Sequence, residues 1–134
     1  MDPVIPADQL GPQVLEEVFK SISPTNRGIA IGVANKTLFK WSGMNAYFYS
    51  GSPGPNVLPE FVESQEAILY TATKPTGLPR GSAGVITLFI PDNNKTVVVM
   101  FRVPFDRNLY ENWWAAKVYP NRIEADRNMW SYMY

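Results

Sequence analysis

The chain has neither cysteine nor histidine among its 134 residues. That double absence removes disulfides, thiolate nucleophiles, imidazole bases and the usual zinc ligands together, and with them the main reagents of most catalytic chemistries. Excess charge is missing as well. Twelve basic residues balance 12 acidic ones, so no global field gathers a polyanion, and nucleic acid is not an expected partner. The longest apolar runs, such as residues 96–101, are strand-sized and well short of the ~20 residues that cross a bilayer as a helix. The opening MDPVIPADQLG shows no charged segment followed by an apolar one and a small-residue cleavage site. A secretory signal is therefore expected to be missing or already removed. No metal and no cofactor is expected, and the chain does not read as an enzyme.

What is present fits one domain, long enough to bury roughly two thirds of the surface its unfolded form exposes. Residues 1–11 contain Pro3 and Pro6, which disfavour helix, and read as an extended or frayed arm. Over residues 12–22 the pattern changes. Val14, Leu15, Val18, Phe19 and Ile22 fall at helical spacing on one face, while Gln13, Glu16, Glu17 and Lys20 occupy the other. Pro12 at the first helical position and Pro24 beyond the last mark the ends of this amphipathic helix.

Residues 28–119 then read as strands. GIAIGVAN (28–35), NAYFYS (45–50), AILYTAT (67–73), AGVITLFI (83–90), TVVVMFRV (96–103) and WAAKVY (114–119) are β-branched or aromatic-rich. The linkers 50–59, 74–81 and 91–95 hold prolines, glycines and asparagines that fix turns and leave no room for helices. Six strands predict a sandwich or a barrel. Residues 123–134 predict a second helix, with Trp130 and Tyr134 one turn apart. A helix that stops uncapped at its last aromatic, and sheets left with unpaired edges, lead to the expectation of a C-terminally truncated domain.

The densest aromatic stretch is VPFDRNLYENWWAAKVY, residues 103–119, too polar for alternation to bury every ring. Alternation at the strand entry sends one of the two adjacent indoles inward, and Trp114 is read as that one; Tyr119 is assigned with it to the strand and its core, and Tyr110 and Trp113 to the outward set. Asp106 and Glu111 read as solvated or capping carboxylates rather than a general acid and base. The longer run FRVPFDRNLYENWWAAKVY (101–119) resembles the most characteristic segment of the actinoporins. The likeness extends to RGIAIGV (27–33), AYFYSGS (46–52), AILYTATK (67–74), RGSAGVITLFIPD (80–92) and ADRNMWSYMY (125–134).

The resemblance implies a mainly β protein, a β-sandwich flanked by two short α-helices. It also implies a secreted, pore-forming cytolysin, monomeric in solution. Such a protein binds phosphocholine headgroups, typically of sphingomyelin, and assembles a homo-oligomer on the membrane by releasing its N-terminal helix. Carried over by position, the headgroup site comprises Ser50, Ala83, Arg102, Pro104, Tyr110, Trp113, Trp130 and Tyr134, with Tyr110, Trp130 and Tyr134 as the cage and Ser50 as a phosphate donor. Membrane docking falls to Arg27, Leu109, Tyr110 and Trp113. The pore helix is carried by Val14, Leu15, Glu16, Glu17, Val18, Phe19 and Ile22, with Glu16 and Glu17 facing the lumen and favouring cations. Val57 corresponds to a contact between protomers.

Several of these assignments have a plainer alternative. Trp130 and Tyr134 also suit packing of the second helix on the sheet, and Arg27 suits a solvated turn. Arg102 stands where the family has a small hydroxyl residue, and either supplies a phosphate contact or blocks the pocket. Leu109 replaces an aromatic, and the neutral chain has less pull toward anionic surfaces. An 11-residue helix is about 16 Å long, half of a ~30 Å hydrocarbon core. These departures favour the alternative function, a non-lytic lipid- or glycan-binding module of the same fold. Two sequons, Asn35-Lys36-Thr37 and Asn94-Lys95-Thr96, complete the motifs.

Overall fold

The computed structural model describes residues 3–20, 29–54, 57–73, 82–103, 113–128 and 130, with the backbone alone at residues 82, 103, 113 and 114. Its elements in order are β1 (Val4–Pro6), α1 (Pro12–Lys20), β2 (Ile29–Ala34), β3 (Trp41–Ser50), β4 (Ser52–Pro53), β5 (Phe61–Val62), β6 (Glu66–Thr73), β7 (Ser82–Ile90), β8 (Lys95–Val103) and β9 (Trp113–Pro120). All pairings are antiparallel. One sheet runs β1-β6-β2, with β4 also on β6; the other runs β5-β3-β7-β8-β9.

The two sheets stack because their strands alternate. From β7, Ile86, Leu88 and Ile90 turn inward, where they meet Val99 and Phe101 of β8 and Ile68, Tyr70 and Ala72 of β6. The opposite face of the larger sheet carries Ala83, Val85, Val98 and Met100, and Trp130 covers them. Every residue of β6 from Ala67 to Ala72 is buried, since the core lies on one face and α1 packs across β6 and β2 on the other. Inside, Phe48 makes an edge contact with Phe101 at 6.0 Å and lies 6.4 Å from Tyr70. Gly84 makes room for this cluster. A Cβ there would stand 2.5 Å from the Tyr47 carbonyl oxygen and 2.9 Å from the Phe101 ring.

Three short strands join the six that alternation picks out. The proline-bearing arm supplies β1, which pairs Val4, Ile5 and Pro6 with Ile68, Ala67 and Glu66. Proline is tolerated there because the pairing lies at a strand end on a sheet edge. β3 begins at Trp41, four residues before its alternation starts, because Gly43, at φ 57, sits in a register irregularity between Ser42 and Asn45 instead of ending the strand. The 91–95 linker, read as free of helix, contains a single 3-10 turn at Pro91–Asn93 with proline at its start.

Asn35 joins the two sheets at one end. Its N–H donates to Glu66 O and its carbonyl accepts from Gln65 N–H, both at 2.7 Å. Its fully buried carboxamide donates to Phe39 O, Val62 O and Glu63 O at 2.8, 3.3 and 3.2 Å, and accepts from the Thr37 N–H and hydroxyl. At the same end Thr96, also buried, donates through Oγ1 to Asn121 O at 2.7 Å and accepts from Ile123 N–H at 3.0 Å.

Asn35→Ala leaves those buried carbonyls without a donor and should cost about 2 to 3 kcal/mol, read as a lower urea midpoint at unchanged m-value. Burial raises the Tyr70 hydroxyl above its ordinary value of 10.0. The folded state therefore holds that proton more tightly. This contribution is intact below pH 10 and is lost as pH rises, because the unfolded chain ionises first. The urea midpoint should fall on alkaline titration, and Tyr70→Phe should reduce the fall.

Candidate functional site

Four of the residues assigned to the headgroup site share one row of the larger sheet. The register pairs Ser50 with Ala83, Ala83 with Arg102, and Arg102 with Trp113, across β3, β7, β8 and β9. At ~4.8 Å between strands the row is about 14 Å wide. It lies at the end of the sandwich away from Asn35. The alignment of Ser50 depends on a second irregularity in β3: Phe48 faces Gly84 and Ser50 faces Ala83, so Tyr49 is an extra residue at this point. Bulges of this kind re-aim a side chain at the edge of a site.

Tyr49 lies flat on the Trp130 indole, centroids 5.2 Å apart and planes 15° apart, and remains 54% exposed. Trp130 itself is 5% exposed and Ala83 6%. Both belong to the packed outer face, so Trp130 holds the 123–130 segment on the sheet and presents Tyr49 as the accessible ring. Trp130 N–H donates to Asp126 O at 3.0 Å, one helical turn back. Alternation in AYFYS puts Tyr47 and Tyr49 on one face, but the bulge that turns Tyr49 out has no signature in those letters. Tyr119, expected in the core, packs with the outer-face cluster beside Ala115 and Ala125.

Arg102 is half-buried and brings a fixed positive charge into the row. With the Ser50 hydroxyl it offers donors for a phosphate, and an exposed aromatic face attracts a quaternary ammonium that cannot donate a hydrogen bond. Pro104, Leu109, Tyr110, Tyr134, Arg27 and Ile22 lie outside the described residues, as do five of the twelve residues of the predicted second helix; of its described residues, 127, 128 and 130 are helical and 123–126 are not.

On the other sheet, α1 buries Val18 completely, leaves Val14 and Leu15 half-buried, and exposes Glu16 and Glu17. Leu10 and Leu15 press against Gly32, where a Cβ would meet them at 2.5 and 3.2 Å. Phe19 is 40% exposed, an apolar ring at the helix rim. Val57, the assigned protomer contact, is 73% exposed.

A family model described as "Sea anemone cytotoxic protein" matches residues 2–134. The chain is 45% identical over 128 residues to DELTA-actitoxin-Oor1b of Oulactis orientalis, covering 95% of this chain and 73% of that protein. It is 42% identical over 125 residues to DELTA-stichotoxin-Hcr4b of Radianthus crispa, covering 93% and 70%. Identity to the deep-sea actinoporin Cjtox I of Cribrinopsis japonica is 41% over 131 residues, covering 98% and 59%. Among such relatives the chain spans between 58% and 73% of their length. The fold is similar to the crystal structure of lipid binding protein Nakanori, with TM-score 0.70 and 17% identity over 86% of this chain and 54% of that one.

Tyr49→Ala should remove the stack, lowering stability by about 1 kcal/mol and exposing Trp130. The checks are a urea midpoint and a red shift in tryptophan emission, and Val57→Ala should change neither.

Proposed function

The chain belongs to the sea anemone cytotoxic protein family, the actinoporins, and from that membership we propose a secreted, non-enzymatic, membrane-active protein that docks on phosphocholine headgroups and goes on to form a pore. The observation that carries the docking step is the row Ser50–Ala83–Arg102–Trp113, beside the exposed Tyr49 ring. In this reading Arg102 and Ser50 take the phosphate. Tyr49, Tyr110 and Tyr134 supply faces for the ammonium, each contact contributing about 0.5 to 2 kcal/mol. Leu109, Trp113 and Arg27 meet the interface, where amphipathic and cationic groups are stable.

Pore formation asks more of the N-terminal end. The nine residues of α1 span about 14 Å against a ~30 Å hydrocarbon core. No helix among the described residues is long and apolar enough to cross a membrane. Residues 1–20 reach the required length only if they become one helix. That change strips β1 from β6, lifts Val18 and Leu15 off the sheet, and absorbs Pro3, Pro6 and Pro12. Binding to the bilayer must offset those losses. Oligomerisation through Val57 and a cation-favouring lumen lined by Glu16 and Glu17 complete the proposal. The paired β1 strand is also the observation that favours the second reading, a lipid-binding module that docks without releasing its helix.

Vesicles of phosphatidylcholine with and without sphingomyelin separate the readings. Dye release that requires sphingomyelin supports the pore, sedimentation with vesicles without release supports the module, and neither outcome overturns both. Tyr110→Ala should weaken vesicle binding about fivefold; unchanged affinity would remove Tyr110 from the cage.

A further inference from the structure

The two Asn-Lys-Thr sequons have the sequence signature of N-glycan acceptors, and the fold treats them in opposite ways. Asn35 is wholly buried, and its two amide hydrogens serve three main-chain carbonyls. A sugar on that nitrogen would remove one hydrogen and demand space where none exists. Asn94 lies in the exposed β7–β8 connection, residues 91–94, in the left-handed conformation at φ 47. Its Nδ2 donates one hydrogen bond to Asn121 Oδ1 at 3.1 Å, on the surface. A substituted amide keeps one N–H, enough to retain that bond.

We infer that Asn94 is a glycan acceptor compatible with the folded protein and that Asn35 is not, so the folded, secreted chain carries a single N-linked glycan. The Asn94 carboxamide nitrogen forms a bond to the anomeric carbon of a lipid-pyrophosphate-linked oligosaccharide. The bond from that carbon to the pyrophosphate oxygen breaks, and the amide gives up one proton, with no change of oxidation state. Thr96 of the same sequon is fully buried, with its hydroxyl shared between Asn121 and Ile123. Transfer must therefore precede the closing of β8 on β9. Ile90 pairs with Lys95 at this end, whereas Ala83 pairs with Arg102 at the other. Seven residues of strand separate them, about 23 Å. The glycan thus projects from the end of the sandwich opposite the docking row and leaves that row open.

The inference rests on the reading that the chain is secreted, so the test supplies a signal peptide and is independent of lysis. The full chain is expressed in a glycosylating eukaryotic host, and the secreted protein is analysed by intact mass before and after amidase deglycosylation. One glycan is expected, absent from Asn94→Gly, a variant that keeps the left-handed backbone. Secreted wild type without a glycan overturns the assignment of Asn94. A glycan persisting on secreted Asn94→Gly overturns the exclusion of Asn35. If wild type is retained in the cell, Thr37→Ala, which abolishes the other sequon, should restore a secreted single-glycan form. Failure to recover a glycan-bearing species then overturns the inference. Glycosylated and deglycosylated protein should bind sphingomyelin vesicles within twofold of each other, and a tenfold difference would contradict the placement of the sugar away from the docking end.

Discussion

The buried carboxamide of Asn35 ties segments of both sheets together with directional hydrogen bonds. Its main chain holds the start of β6 in the smaller sheet, while its side chain holds Val62 of β5 in the larger sheet and Phe39 ahead of β3. A hydrophobic sandwich is tolerant of sliding, because burying apolar area has no preferred register. Hydrogen bonds in a dry site are directional and expensive to leave unmade. One end of the sandwich is thereby locked.

With one end locked, the other can be built for contact. Alternation along β7 and β8 divides the larger sheet into an inner face that fills the core and an outer face capped by Trp130. The Thr96, Asn121 and Ile123 hydrogen bonds direct the chain after β9 back toward that outer face. The bulge at Tyr49 then puts Ser50 in register with Ala83 and turns one aromatic ring out onto Trp130. The larger sheet carries the row of Ser50, Ala83, Arg102 and Trp113, and the smaller one holds α1 through Val18 and the small surface of Gly32.

Much of this is legible in single residues. The helical spacing of Val14, Leu15 and Val18 locates α1, and the β-branched runs locate the six long strands. The short strands are not legible. Val4–Pro6 pairs only because β6 offers an edge, a fact no local window contains. Gly43 looks like a strand end, yet a sheet absorbs one irregular residue when its neighbours stay paired. Asn35 reads as a strand end or a glycan acceptor, and only its burial and its hydrogen bonds to the Phe39 and Val62 carbonyls make it a structural clamp.

By itself the sequence determined the fold class and the family likeness. Those depend on composition and local period, which survive in any window of the chain. Tertiary structure alone decided that Trp130 is a support and Tyr49 the accessible ring. It also decided that Ser50, Ala83, Arg102 and Trp113 form one row, and that two identical tripeptides have opposite environments. Register, bulges and burial arise from partners tens of residues away, and no local period encodes which atoms those partners will cover.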